Sequence, residues 1–203
     1  VQWSVETTEE AISRRIETDG ATVVAIQGRQ IRTRERLEVL AIGTESPIDD
    51  DLAIESTIRA VNDSGAIAVI PWGFGKWFGA RAHVMDYLLD NVGCDAFFLG
   101  DNANRPAFAP RPRVFSTAER RGFRILPGSD PLPFAGECDR AGRAGVKLSV
   151  SLDLTRPAQD LKRVLTDRNN VLEPFISLES TARFLRNQFS MQRLRLLNSS
   201  ARA

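Results

Sequence analysis

Short apolar runs separated by polar, glycine-bearing loops dominate the first two thirds of the chain. The clearest is Ala66-Ile67-Ala68-Val69-Ile70, five consecutive apolar residues that predict a buried strand. Thr22-Val23-Val24-Ala25-Ile26 is rich in β-branched residues and predicts another. A run over 37–42, closed by Gly43, and runs over 96–99 and 123–126 add further strands; 146–152 reads as a last one with alternating polarity. Helical spacing appears between them. Thr7 and Glu10 stand at capping-box spacing before Ile12 and Ile16, which predicts a first helix ending near Gly20. Asp49, Asp50 and Asp51 precede Ile54, Ile58 and Val61, so acids at a helix start lead into one apolar face. A helix over 80–89 places Val84, Tyr87 and Leu88 together, and Ser116 or Thr117 caps a short helix ended by Gly122. Pro157 opens a helix with Leu161, Val164 and Leu165 on its apolar face. A final helix over 178–197 puts Leu178, Leu185, Phe189 and Leu196 on one side, packed on its own domain with its arginines in solvent.

Strand, polar loop and helix recur in this order, which predicts an α/β fold with a mostly parallel sheet, open or rolled into a distorted or incomplete β/α barrel. Ile26, Ile42, Val69, Phe98 and Ile125 are expected in its core. The chain reads as one domain over 1–203, less regular and helical from residue 155 onward, without internal repeat or linker. In either architecture a ligand sits beyond the carboxyl ends of the strands. Three polar loops follow predicted strands there, at 71–77, 100–106 and 128–133.

Composition narrows the chemistry. With 203 residues, 42% of them hydrophobic and 26% charged, the chain has the material for a folded domain rather than a disordered one. A net charge of +1 supplies no global attraction to nucleic acid or anionic lipid. No apolar run approaches the roughly 20 residues of a membrane span, and no signal peptide opens the chain, so a cytoplasmic protein is expected. The first residue is Val1 rather than Met, which leaves room for a segment upstream. Cys94 and Cys138 allow one disulfide but no disulfide framework, and they read as buried or inert thiols. His83 is the single histidine, so a His-Cys zinc site or a multi-His centre cannot be built from this chain alone.

Loop 71–77 combines Trp72, Gly73, Gly75, Lys76 and Trp77. Its glycines allow close backbone approach and Lys76 offers charge to a phosphate or carboxylate, although the Walker A spacing is absent. Read structurally, the same tryptophans plug one end of the core. Loop 100–106 carries Asp101, Asn102, Asn104 and Arg105. Arg105 suits a bidentate grip on an anion, while Asp101 suits a hard cation or neutralises Arg105 itself. Loop 128–133 sets Ser129 and Asp130 directly after an apolar strand and stiffens them with Pro131 and Pro133. There Asp130 serves a metal, a proton or only its own turn.

The order of these segments resembles the PHP family, named for polymerase and histidinol phosphatase domains. Its members carry Gly-x-Glu after one strand, His-Pro after a later one and Gly-Ser-Asp-x-His after a late one. Residues 26–33 resemble the first segment with Gln30 at the Glu position; 69–73 resemble the second with Trp72 where a ligand is expected; 126–132 keep Gly128, Ser129 and Asp130 but end in Leu132. The resemblance covers roughly residues 23–133 and implies a distorted TIM-like, PHP-type barrel with metal ions at the strand ends. The family's opening His-x-His segment lies upstream of Val1 or has been lost, and of the matched ligand positions only Asp130 keeps a good metal-binding side chain. The resemblance therefore implies a degenerate or N-terminally incomplete member, with a divalent ion on Asp130 as the cofactor to test and no multinuclear cluster expected.

Three functions follow as expectations. The first is a domain that binds a small anionic ligand, with Lys76 and Arg105 on the anion, Asp130 ordering the pocket, Trp72 or Trp77 as a wall, and Asn102, Asn104, Ser129 and Gln30 in polar contact. The second is a metal-dependent phosphoester hydrolase in which Asp130 and Asp101 hold a metal that activates water. The third is a non-catalytic interaction protein whose pocket is only structural. Neither nucleic acid nor a membrane is an expected partner.

Overall fold

The computed structural model describes residues 2–73 and 76–200, with side chains other than those of Ala135 and 194–200; Phe74 and Gly75 of the first loop and the side chain of Leu196 lie outside it. The chain begins with a three-stranded antiparallel meander, β1 (Ser4–Thr7), β2 (Ser13–Thr18) and β3 (Ala21–Ile26). A five-stranded sheet follows in the order β4 (Gly28–Arg32), β5 (Glu38–Ile42), β6 (Ile67–Trp72), β7 (Phe98–Asp101) and β8 (Ile125–Pro127). Helix α1 (Ile54–Asp63) links β5 to β6, α2 (Ala80–Asn91) links β6 to β7, and α3 (Arg113–Arg120) links β7 to β8. A 3-10 helix (Ala135–Arg140), β9 (Ala144–Leu148), α4 (Pro157–Thr166), β10 (Leu172–Ile176) and α5 (Thr181–Ser200) complete the described residues, with β9 and β10 paired antiparallel.

This is a mixed α/β fold without a closed barrel, and it corrects the expectation of a mostly parallel, barrel-like sheet. Only β6–β7 and β7–β8 pair in parallel among the named strands; β4–β5 and β5–β6 are antiparallel, as are the two smaller sheets. The apolar runs locate strands without giving their direction. For β4 and β5 the connection sets the direction: a tight turn joins them, closed by Thr33 N–H donating to Leu37 O at 2.8 Å, and a connection that short permits only a hairpin.

The first predicted helix is also overturned, since residues 7–20 form strands and turns. Glu10 does cap a helix, but one far away in sequence. Its carboxylate accepts from Ala158 N and Gln159 N, each at 2.8 Å, at the start of α4. Asp19-Gly20 makes the β2–β3 turn, a known hairpin dipeptide. Strand β3 is not buried as expected: Val23 is 48% exposed. Ser116 and Thr117 lie inside α3, whose N-cap is Pro112. On α2 the buried residues are Met85, Leu88 and Leu89, while Tyr87 faces solvent. Leu178 precedes α5, and Leu185 and Phe189 on it are exposed, Phe189 by 72%.

Alternation along β6 divides the core in two. Ala68, Ile70 and Trp72 pack with α1, α2 and α3 through Ile58, Leu88 and Phe115. Ile67 and Val69 face the other way, against Phe98, Leu165 of α4, and Val146 and Leu172 of the β9–β10 pair. Of the residues expected in the core, Val69 and Phe98 are buried and Ile26, Ile42 and Ile125 are half-buried.

Beyond Val69 the sheet splays. The ladder between β5 and β6 runs from Ile42↔Ile67 to Leu40↔Val69 and stops, leaving Glu38 and Val39 paired to β4 alone. Pro71, two residues on, has no amide hydrogen with which to extend a ladder. On its other side Pro71 stands opposite Gly100 of β7. A Cβ on Gly100 would come within 3.1 Å of both Pro71 Cα and Val69 Cγ1, so a side chain there would push the parallel pair apart. Gly100→Ala is expected to cost about 1–3 kcal/mol, the range for overpacking, measured by urea denaturation. An unchanged midpoint would mean that the pair relaxes freely at this point.

Candidate functional site

The splay and the carboxyl ends of β6, β7 and β8 open onto one cleft of about 770 Å³. Gly73, Lys76, Asn102, Asn104 and Asp130 bring all three predicted loops to its wall, and Gln30 of β4 joins them. The loops are tied to each other. Asn102 Nδ2 donates to Asp130 Oδ2 at 3.1 Å, and Asn104 Nδ2 donates to the Asp130 carbonyl at 2.9 Å. Gly128 N donates to Asp101 O at 2.8 Å. Consecutive Asx turns shape the second loop: Asp101 Oδ1 accepts from Ala103 N at 3.2 Å and Asn102 Oδ1 from Asn104 N at 3.3 Å. Ala103 and Asp130 adopt left-handed backbone conformations, with φ of 56° and 37°. Such conformations carry strain in residues with a side chain and commonly occur where a site imposes them.

Lys76 reaches across the splay to Glu38, Nζ to Oε2 at 2.5 Å, with both side chains half-buried. Gly73 makes room for this reach, because a Cβ there would lie 2.9 Å from Lys76 Cδ. Glu38 and Arg81 add to the charged lining, while Glu179 borders the cleft with its carboxylate closed to solvent.

Several expected residues lie elsewhere. Arg105, expected to grip an anion, is buried beneath the cleft, where its Nη2 lies 3.3 Å from Asp101 Oδ2. Asp101 is buried with it and is absent from the lining of this cleft. The alternative in which Asp101 neutralises Arg105 matches this geometry. Trp72 and Trp77 are also buried. They line a separate apolar cavity of about 370 Å³, and Trp72 meets Phe115 edge-on at 5.9 Å. Ser129 turns away from the cleft lining, its Oγ accepting from Gly142 N at 3.2 Å.

Helix α5 forms a wall that the loops did not predict, through Phe184, Asn187, Gln188, Met191 and Gln192. A sequence signal existed, since Gln188 and Gln192 are four residues apart and share a helix face. It was masked by the apolar reading of Leu185 and Phe189. Under this wall lies a buried charge cluster. Arg140 Nε stands 2.8 Å from Glu179 Oε1 as an ion pair, and its Nη2 donates to Ser177 O at 2.8 Å. Arg183 Nε lies 3.1 Å from Glu137 Oε1, which also accepts from Asn187 Nδ2 at 3.1 Å. Burial pushes the Glu179 carboxyl above its usual range; Arg140 opposes this and the charge of Glu137 adds to it.

The PHP resemblance implies metal ions at these strand ends, and the side chains present do not fit them. Gln30 and Leu132 stand at two matched ligand positions on the cleft wall, Trp72 is buried outside it, and Asp130 Oδ2 is held by an amide donor. Among the described residues no three His, Cys, Asp or Glu side chains are grouped so as to hold an ion. Cys94 and Cys138 are free thiols, and no helix among the described residues is long and apolar enough to cross a membrane. Comparison with protein-family models, curated proteins and solved structures returned no match.

Proposed function

We propose that the cleft binds a small ligand through a phosphate or carboxylate group, on a chain related to the PHP phosphoesterases whose metal positions have been replaced. The observation that carries this reading is the meeting of the three strand-end loops with Lys76 on one cleft wall. Three of the four positions matched to family ligands, Gln30, Asp130 and Leu132, lie on that same wall and support the relationship, while the buried Trp72 and the absence of a barrel count against it. A hydrolase reading through Asp101 and Asp130 gains no support, since Asp101 is buried against Arg105.

Lys76 is the anion contact in this reading, and Glu38 is its partner when no ligand is bound. An incoming anion must displace the Glu38 carboxylate, so the two residues have opposite effects. Lys76→Ala should weaken binding of inorganic phosphate or sulfate by about 1–3 kcal/mol, the range for a charge-assisted hydrogen bond. Glu38→Gln should tighten it by removing the competitor. Calorimetric titration of both variants tests the pair. Affinities equal to the parent protein's in both would remove Lys76 from the site and the reading with it.

A further inference from the structure

Carboxamides are the commonest side chains on the cleft wall. They are Gln30 on β4, Asn102 and Asn104 after β7, and Asn187, Gln188 and Gln192 on α5. Each presents a donor and an acceptor on one rigid group. Asn102 and Asn104 spend amide hydrogens on Asp130, and Asn187 does so on Glu137. Gln30, Gln188 and Gln192 are exposed on a strand and a helix that both border the cleft. Asp130 is exposed as well and adds a carboxylate acceptor.

We infer that the cleft takes an acidic polyol, a sugar phosphate or sugar acid in chemical class, with its acid group on Lys76 and its hydroxyls on the carboxamides and Asp130. The inference rests on the reading of Lys76 as the anion contact. A hydroxyl donates and accepts at once, as a carboxamide does, so a row of hydroxyls satisfies such a wall in both senses. An alkyl chain of the same length would strip water from these groups and return no hydrogen bonds, which sites built for hydroxyls reject. A volume of about 770 Å³ falls within the ~300–1,000 Å³ of small-molecule sites. A nucleobase fits less well. Among the described residues Phe184 is the aromatic residue on the wall, and a base is normally held by stacking on such rings as well as by polar contacts along its edge.

The test is calorimetry on the full chain with ribose 5-phosphate, ribonate, free ribose, n-pentyl phosphate and inorganic phosphate. At least one of the two acidic polyols should bind about tenfold or more tighter than n-pentyl phosphate, the sum of a few net hydrogen bonds. Gln188→Ala and Gln30→Ala alter exposed positions, where substitutions usually change stability little, and each should narrow that ratio about threefold or more. Phosphate-bearing probes that bind without preference for hydroxyls would overturn the polyol inference and leave the Lys76 reading in place. The same follows from a ratio that neither glutamine variant changes. Free ribose binding as tightly as both acidic polyols would overturn the Lys76 reading instead. Absence of binding by every probe overturns both.

Discussion

Arg140→Ala should destabilise the protein by about 3–5 kcal/mol, the usual cost of stranding a buried charge. Arg140 and Glu179 are each 2% exposed, and the pair sits between the 3-10 helix and the segment leading into α5. Without the guanidinium, the Glu179 carboxylate faces Glu137 inside the protein and the Ser177 carbonyl loses its donor. Water cannot repair this, because the Glu179 carboxylate oxygens are closed to solvent and, among the described residues, receive no hydrogen bond. The double variant Arg140→Met with Glu179→Leu removes both charges together and should recover most of the loss, since apolar replacement of a buried pair is often neutral. Guanidinium denaturation of the two variants decides the matter. A single variant within about 1 kcal/mol of the parent would contradict a buried ion pair and indicate that α5 swings open to hydrate Glu179.

Phe115→Ala should cost a similar amount, about 3–5 kcal/mol, for a different reason. Phe115 is fully buried on α3 and meets Trp72 edge-on with planes at 67°. Arg111 lies over the ring, 5.3 Å from its centroid. The ring joins α3 to the end of β6, so truncation leaves a cavity against a strand that also carries the cleft loop. Phe115→Leu retains most of the volume and should lose clearly less. Thermal and denaturant unfolding would expose the difference, and equal losses in the two variants would rule out cavity formation as the cause.

The run 66–70, the spacing of Ile54, Ile58 and Val61, and Pro157 at a helix start were local patterns, and local patterns are legible. The three loops that meet at the cleft were legible for the same reason, each following an apolar run. What was hidden depends on partners distant in sequence. Glu10 at capping-box spacing suggested a local helix but caps α4, 148 residues away. Arg105 is a local case left open by the sequence: a grip on an anion and neutralisation by Asp101, four residues away, read equally well, and the second is what the fold adopts. Trp72 and Trp77 show how composition misleads: large aromatics in a glycine-bearing loop suit a ligand wall and a core plug equally, and here they are plug. Strand direction was hidden because apolar runs carry no sign of it; the short β4–β5 turn fixes it for that pair, while β5 and β6 pair antiparallel across a connection that contains α1.

The cleft draws its wall from Gln30 at one extreme and Gln192 at the other. The β1–β2–β3 meander, by contrast, is made of neighbours in sequence. Chain closure over long separations loses entropy before any contact rewards it, so the meander can form early while the cleft must wait for the sheet, the 3-10 helix and α5 to assemble. The same ordering governs partial unfolding. Release of α5 removes one side of the cleft and leaves the five-stranded ladder intact, so an occupant touching both β4 and α5 would hold together the two ends of the folding sequence.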